Sequence, residues 1–140
     1  MRYVMELTGS HAPANSGRKS ENLHWLIRRQ LRVPRTFVVT WEAFQKYRAQ
    51  DPALIPDLQK ELESCLDLSL HYAVRSSANV EDARERSFAG QFETVLNACG
   101  SETILQAIRS VWDKAQNVRI QSYASSTPTG PGRTMTLRWR

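Results

Sequence analysis

Residues 74–82 read Val-Arg-Ser-Ser-Ala-Asn-Val-Glu-Asp, and residues 87–94 read Ser-Phe-Ala-Gly-Gln-Phe-Glu-Thr. The first stretch follows a short β-prone run, Tyr72 to Ser76, so Arg75 is expected where a strand ends. An arginine there suits phosphate, because its fork donates two parallel hydrogen bonds to phosphate oxygens. Ser76 and Ser77 add hydroxyls. A second reading of Arg75 is equally open: an ion pair with Glu81 or Asp82 in the polar stretch Ser77–Ser87. The second stretch sets small residues beside aromatics around Gly90, which permits close backbone approach. That mixture suits a loop folding over a ligand. It also suits an ordinary β-hairpin, with Phe92–Asn97 extended.

Outward from these stretches the chain alternates helical and strand patterns. Arg2–Leu7 is expected as a short strand and His11–Gly17 as a loop. Leu23, Leu26, Ile27 and Leu31 recur at helical spacing, predicting a helix over 20–31 with Ser20 as N-cap. Val33-Pro34 stops it, because proline pushes the preceding residue out of the α region. Thr36–Thr40 is a β-branched run and is expected as a strand. Thr40 then caps a helix carrying Trp41, Phe44 and Tyr47. Asp51-Pro52 is a further helix start, and Leu54, Leu58, Leu62 and Leu66 share one face of the helix it opens. Ser101 is expected to cap the clearest helix, in which Ile104, Leu105, Ile108, Val111, Trp112 and Ala115 follow the helical period. Ser125–Arg133, rich in Ser, Thr, Gly and Pro, cannot be a regular element. Met135–Trp139 has the makings of a last short strand. The fold class is therefore mixed α/β (α+β).

Composition excludes several classes. Across 140 residues, 41% are hydrophobic and 24% charged, ordinary globular values that argue against disorder throughout. No apolar run approaches the roughly 20 residues of a membrane span, and the start has no apolar signal core. The net charge is +5, and fifteen of the 19 basic residues are arginine. They are scattered rather than interleaved with aromatics, so a nucleic-acid face is not expected. Cys65 and Cys99 match no metal spacing and are read as reduced cytoplasmic thiols. His11, His24 and His71 form no metal-type pair. Gly17-Arg18-Lys19-Ser20 places a lysine before a helix N-terminus, where free N–H groups and the dipole favour an anion. It lacks the Walker A pattern, and a solvated lysine is the competing reading.

Taken together, these segments resemble the nucleotide-binding domain of the phosphoenolpyruvate synthase and pyruvate, phosphate dikinase family, a domain shared with rifampicin phosphotransferase. The family's Gly-Gly-Lys-x-x-Asn-Leu opening is matched by Gly17-Arg18-Lys19-Ser20-Glu21-Asn22-Leu23. Its Val-Pro-x-x-Phe-Val-Val-Thr strand is matched by Val33–Thr40. Its Val-Arg-Ser-Ser-Ala-x-x-Glu-Asp and Ser-Phe-Ala-Gly-Gln-x-Glu-Thr motifs are matched by Val74–Asp82 and Ser87–Thr94. The resemblance runs from about residue 3 to residue 123.

The resemblance implies the first lobe of an ATP-grasp-type domain, incomplete, over 1–124, followed by a divergent, poorly ordered tail over 125–140. It implies that Lys19 and Arg75 contact ATP phosphates and serve catalysis, and that Gly90 and Thr94 lie in the loop covering the nucleotide. ATP is the implied ligand. Mg²⁺ is implied too, with its carboxylate ligands outside this chain. In such enzymes ATP phosphorylates a histidine on another domain, so a missing C-terminal portion or a separate phosphohistidine-carrying domain is the implied partner. Neither nucleic acid nor membrane is expected. Arg18 stands where the family has its second glycine. The short length leaves two functions open: an ATP-binding portion of a phosphotransferase without turnover of its own, or a non-enzymatic remnant or interaction module. A frameshift, a premature stop or a cut gene model would each produce such an end.

Overall fold

The computed structural model describes residues 2–10, 17–78, 94–122 and 133–139. The elements run β1 (Val4–Glu6), α1 (Gly17–Arg28), β2 (Thr36–Val39), α2 (Trp41–Arg48), α3 (Leu54–Cys65), β3 (Tyr72–Ala78), β4 (Thr94–Ala98), α4 (Ser101–Ser122) and β5 (Arg133–Trp139). The strands form one antiparallel sheet in the order β1-β2-β5-β3-β4. The mixed α/β class is as the alternating patterns predict.

Strand alternation divides the sheet into two faces. One carries Val4, Phe37, Val39, Tyr72 and Val74, all in the main core with α2, α3 and α4. Leu54, Leu58, Leu62 and Leu66 all lie in this core, as their four-residue spacing requires. So do Ile104, Leu105, Ile108, Val111 and Trp112 of α4. Trp112 sits against Phe44 (centroids 5.8 Å) and Tyr47 (4.9 Å). The other face carries Thr36, Val38 and Ala73, which are buried yet stand apart from that core. Helix α1 packs on β3 and β5 and contributes no residue to the main core. It therefore lies over this second face.

Local signals differ from the sequence reading at several boundaries. α1 begins at Gly17, so Ser20 lies within the helix, fully buried, rather than at its N-cap. α1 also ends at Arg28, short of Leu31 and well before Pro34. Its terminator is a Schellman motif: the Gln30 N–H bonds the Ile27 carbonyl, the Leu31 N–H bonds Leu26, and Gln30 takes φ 59°. α2 ends identically. Gln50 N–H bonds Tyr47, Asp51 N–H bonds Lys46, and Gln50 has φ 56°. Asp51 caps the turn before α3 rather than the helix, its Oδ1 accepting from the Ala53 N–H at 2.9 Å. Ser101 is the first residue of α4, and its hydroxyl donates to Glu63 Oε1 (2.9 Å) instead of capping. Gly100, at φ 86°, supplies the first helical carbonyl, to the Ile104 N–H.

Residues 133–139 form β5, the central strand of the sheet, paired with β2 on one side and β3 on the other. The expected last short strand, Met135–Trp139, lies within it, and seven residues of alternating Thr/Arg and apolar character complete two ladders. Of the expected loops His11–Gly17 and Ser77–Ser87, Gly17 opens α1 and Ser77 belongs to β3; the rest of the first, 79–87 of the second, and residues 125–132 lie outside the described residues.

The edge strands are pinned individually. Glu61 Oε2 of α3 accepts the backbone N–H groups of Tyr3 (2.7 Å) and Val4 (2.8 Å), holding β1. Arg35 clamps Glu6 through Nε (2.6 Å) and Nη2 (3.0 Å). These bonds hold the Glu6 carboxyl below its ordinary value. On the opposite edge, a bulge between Tyr72↔Ala98 and Val74↔Val95 is absorbed by Asn97 at φ 59°.

Candidate functional site

The strand directions gather the sequence-predicted residues at one end of the sheet. β5 is antiparallel to both β2 and β3, so β2 and β3 run the same way and finish at the same end. Helix α1 runs away from that end. Its C-terminal half lies by the segment after β1: His24 Nδ1 is 2.8 Å from the Thr8 carbonyl, and a Cβ on Gly9 would meet Ile27 Cγ2 at 3.5 Å. β1 finishes beside the start of β2, with Glu6 opposite Phe37. The first turn of α1, Gly17–Ser20, therefore lies towards the end where β2 and β3 finish.

Arg75 sits within β3, on the α1 face of the sheet by alternation with Val74. It is half-buried. Its register partners are Thr94 of β4 and Thr136 of β5. Directly opposed residues of an antiparallel pair lie on the same face, so Arg75 and Thr94 share a face. The Nε of Arg75 is buried and has no hydrogen-bond partner among the described residues. Leaving such a donor unsatisfied costs about 1–3 kcal/mol, more for a charged group. An anion docking beside it would remove that cost and take up the guanidinium fork.

Lys19 and Arg18 lie in the first turn of α1, one turn deeper in the helix than the sequence suggests. Arg18 sits within helix rather than in a turn that demands glycine. Helix first turns carry free N–H groups and the positive dipole end, so the α1 start brings anion-attracting backbone to the same end as Arg75. Thr94 is the exposed first residue of β4. Gly90 and the rest of 87–93 lie outside the described residues, as do Glu81 and Asp82, the alternative partners of Arg75.

Thr40 escaped the sequence reading as a site residue. It stands at the N-cap of α2 with extended backbone, as expected, yet its hydroxyl makes no capping bond. Its Oγ1 is buried without a partner. Nothing in a threonine preceding a helix distinguishes a bonded hydroxyl from an unbonded one. Only the three-dimensional arrangement does.

Among the described residues no group of three or more His, Cys, Asp and Glu side chains is placed to hold a metal ion. No helix of the described residues is long and apolar enough to cross a membrane. Cys65 and Cys99 are both free. The groups displaced from their ordinary proton affinities lie away from Arg75. Burial, then the bond to Asp113 (2.7 Å), keeps the Tyr47 phenol protonated to higher pH. Hydroxyl and N–H bonds from Ser69 hold the Asp67 carboxyl low.

The family model described as "Pyruvate phosphate dikinase, AMP/ATP-binding domain" matches residues 52–129. Among individual proteins, the chain is similar to the rifampicin phosphotransferase of Streptomyces sviceus, 30% identical over 162 residues that cover 87% of this chain and 19% of that protein. It is similar to the prodigiosin synthesizing transferase PigC of Serratia marcescens, 28% identical over 149 residues covering 89% of this chain and 17% of that one. A phosphoenolpyruvate synthase of Aeropyrum pernix is 48% identical over 54 residues, covering 39% of this chain and 7% of that enzyme. The matched region spans less than a fifth of the length of each of these relatives.

Proposed function

This chain belongs to the pyruvate phosphate dikinase AMP/ATP-binding domain family, and from that premise we propose that it is the ATP-phosphate-binding part of a dikinase-like phosphotransferase, the first lobe of an ATP-grasp-type domain. Arg75 and Lys19 bind the phosphates of ATP and neutralise the charge that spreads over the transferring group. Thr94, with Gly90, belongs to the segment that covers the nucleotide and excludes water. The observation that carries this reading is the buried, unpartnered Nε of Arg75, directly opposite Thr94. Among the described residues no carboxylate cluster is placed for Mg²⁺, and the family resemblance is what assigns its ligands to a further part of the domain. The 140 residues alone then bind Mg-ATP without transferring phosphate, and a phosphohistidine-carrying domain is the partner. The protein works in the cytoplasm. Relatives named for rifampicin and for phosphoenolpyruvate share this nucleotide domain, so the acceptor is set elsewhere.

Calorimetric titration with Mg-ATP tests the reading. The chain is expected to bind with a dissociation constant below about 1 mM, roughly −4 kcal/mol, and Arg75→Ala to lose that binding. Absence of heat from both proteins, with both folded, overturns it. Mg-ATP-dependent phosphorylation of any histidine or small acceptor by this chain alone overturns the no-transfer part. A second reading, a non-enzymatic interaction module, draws on the exposure of Trp25 and Leu31 (each 53%) and Leu96 (45%). It gains if neither protein binds nucleotide and wild type self-associates in sedimentation.

A further inference from the structure

We infer that Thr40 and the first turn of α2 form a second phosphate subsite, serving the same nucleotide as Arg75. The inference rests on the ATP-binding reading and extends it to Thr40, the last residue of the Val33–Thr40 motif, which the sequence reading takes only as a helix cap.

Three observations converge. The first is the unused hydroxyl. At an N-cap, a threonine Oγ1 ordinarily accepts an N–H from the second or third residue of the helix. Thr40 has the extended backbone that this needs (φ −70°, ψ 161°), yet makes no such bond. Its Oγ1 is buried with no partner, in a residue only 5% exposed. Thr36, at the other end of the same strand, shows the contrast: its hydroxyl donates to the Pro34 carbonyl at 2.8 Å.

The second is the backbone beside it. The first helical bond of α2 closes from Phe44 N–H to the Thr40 carbonyl. The N–H groups of Trp41, Glu42 and Ala43 precede that bond, so the helix supplies them no carbonyl of its own. A helix start carrying free donors and the positive dipole end, with an idle buried hydroxyl at its cap, matches the chemistry of a phosphate oxygen.

The third is position. Thr36, Val38 and Thr40 alternate onto one face of the sheet, the face of Arg75. Val38 and Arg75 are both register partners of Thr136, and Thr40 lies two residues beyond Val38 towards the end where β2 and β3 finish. Two strand spacings across and two residues along separate the Thr40 and Arg75 Cα atoms by roughly 12 Å. That span suits a polyphosphate rather than a single phosphate. Among the described residues, two buried polar atoms without partners, Arg75 Nε and Thr40 Oγ1, thus belong to one face of the sheet.

The experiment compares wild type, Thr40→Val and Thr40→Ser in the full 140-residue chain, with thermal melts to establish folding. Probes are Mg-ATP, inorganic tripolyphosphate and inorganic phosphate, by calorimetry. Thr40→Val is expected to weaken Mg-ATP and tripolyphosphate about tenfold, with an unchanged or higher melting temperature because it removes an idle hydroxyl. Thr40→Ser, which keeps the oxygen, is expected to bind within about twofold of wild type. Should Thr40→Val melt at low temperature, Thr40→Ser and Thr40→Ala carry the comparison, with serine binding and alanine not. If Mg-ATP binds wild type and Thr40→Val equally while Arg75→Ala abolishes binding, the subsite is overturned and the ATP reading stands. If tripolyphosphate binds and depends on Thr40 but Mg-ATP does not bind, the subsite stands and the nucleotide reading falls. If no probe binds any folded variant, both fall.

Discussion

The two faces of the sheet are built on different terms. The face under α2, α3 and α4 is apolar and closed: Phe37, Val39, Tyr72 and Val74 share one core with Leu54, Leu58 and Leu62 of α3, with Leu66 at its C-cap, and with the apolar stripe of α4, all buried. The face under α1 mixes Val38 and Ala73 with Thr36, Thr40 and Arg75, and keeps two buried polar atoms without partners. A folding core gains by satisfying or excluding every polar atom. Among the described residues the closed face leaves one buried polar atom idle, the Trp112 indole Nε1, and the open face two, Arg75 Nε and Thr40 Oγ1, both on groups suited to an anion. The closed face should therefore answer to volume and the open face to chemistry.

The sharpest break of this comparison is Trp112→Ala. Trp112 is 2% exposed and packs on Phe44 and Tyr47. Its indole NH has no partner, so the loss is purely of packing. Removal should cost about 3–5 kcal/mol, a large part of a typical total of about 5–15 kcal/mol. Urea unfolding monitored by circular dichroism checks it. A loss under about 1 kcal/mol would mean that α4 does not close this face. Arg75→Ala, on the open face, is the converse: nucleotide binding lost, with little change in unfolding midpoint.

Glu61→Ala probes the margin of the closed face. One carboxylate oxygen takes two backbone N–H groups of the β1 edge, and charged acceptors make the stronger hydrogen bonds. The expected loss is about 2 kcal/mol, with faster hydrogen exchange at Tyr3 and Val4. Glu61→Gln, which keeps an acceptor oxygen, should recover part of it. Equal loss in both would assign the effect to packing of the side-chain stem.

The contrast also explains what the sequence makes legible. The closed face is written in local periods: Leu54, Leu58, Leu62 and Leu66 lie four apart, and no partner need be known to place them on one side. β5 is not so written. Met135, Leu137 and Trp139 alternate with Thr134, Thr136 and Arg138, but a strand becomes central only through partners far away in the chain, and the Gly/Pro-rich stretch before it reads as the start of a tail. The motifs named Lys19, Arg75, Gly90 and Thr94. The structure brings Arg75 and Thr94 together and directs the first turn of α1 towards them. Thr40 stayed hidden because the same residue satisfies the capping rule whether or not its hydroxyl bonds.

The smallest effect tests the helix ends, where sequence reading chose the wrong stop. Both α1 and α2 close through a glutamine in the left-handed region, Gln30 and Gln50, a conformation that costs an L-residue roughly 1–2 kcal/mol and glycine almost nothing. Gly in the unfolded chain has more freedom to lose, which offsets part of the gain. Gln50→Gly should therefore stabilise by about 0.5–1 kcal/mol, raising the melting temperature by roughly 2–4 °C. Gln50→Val should destabilise instead, because a β-branched residue tolerates positive φ worst. Gln50 is exposed and follows α2, away from Arg75 and Thr94, so both variants should leave Mg-ATP affinity unchanged. A change in affinity with Gln50→Gly would mean that the end of α2 and the open face are coupled, and that the division between the two faces is less complete than their packing suggests.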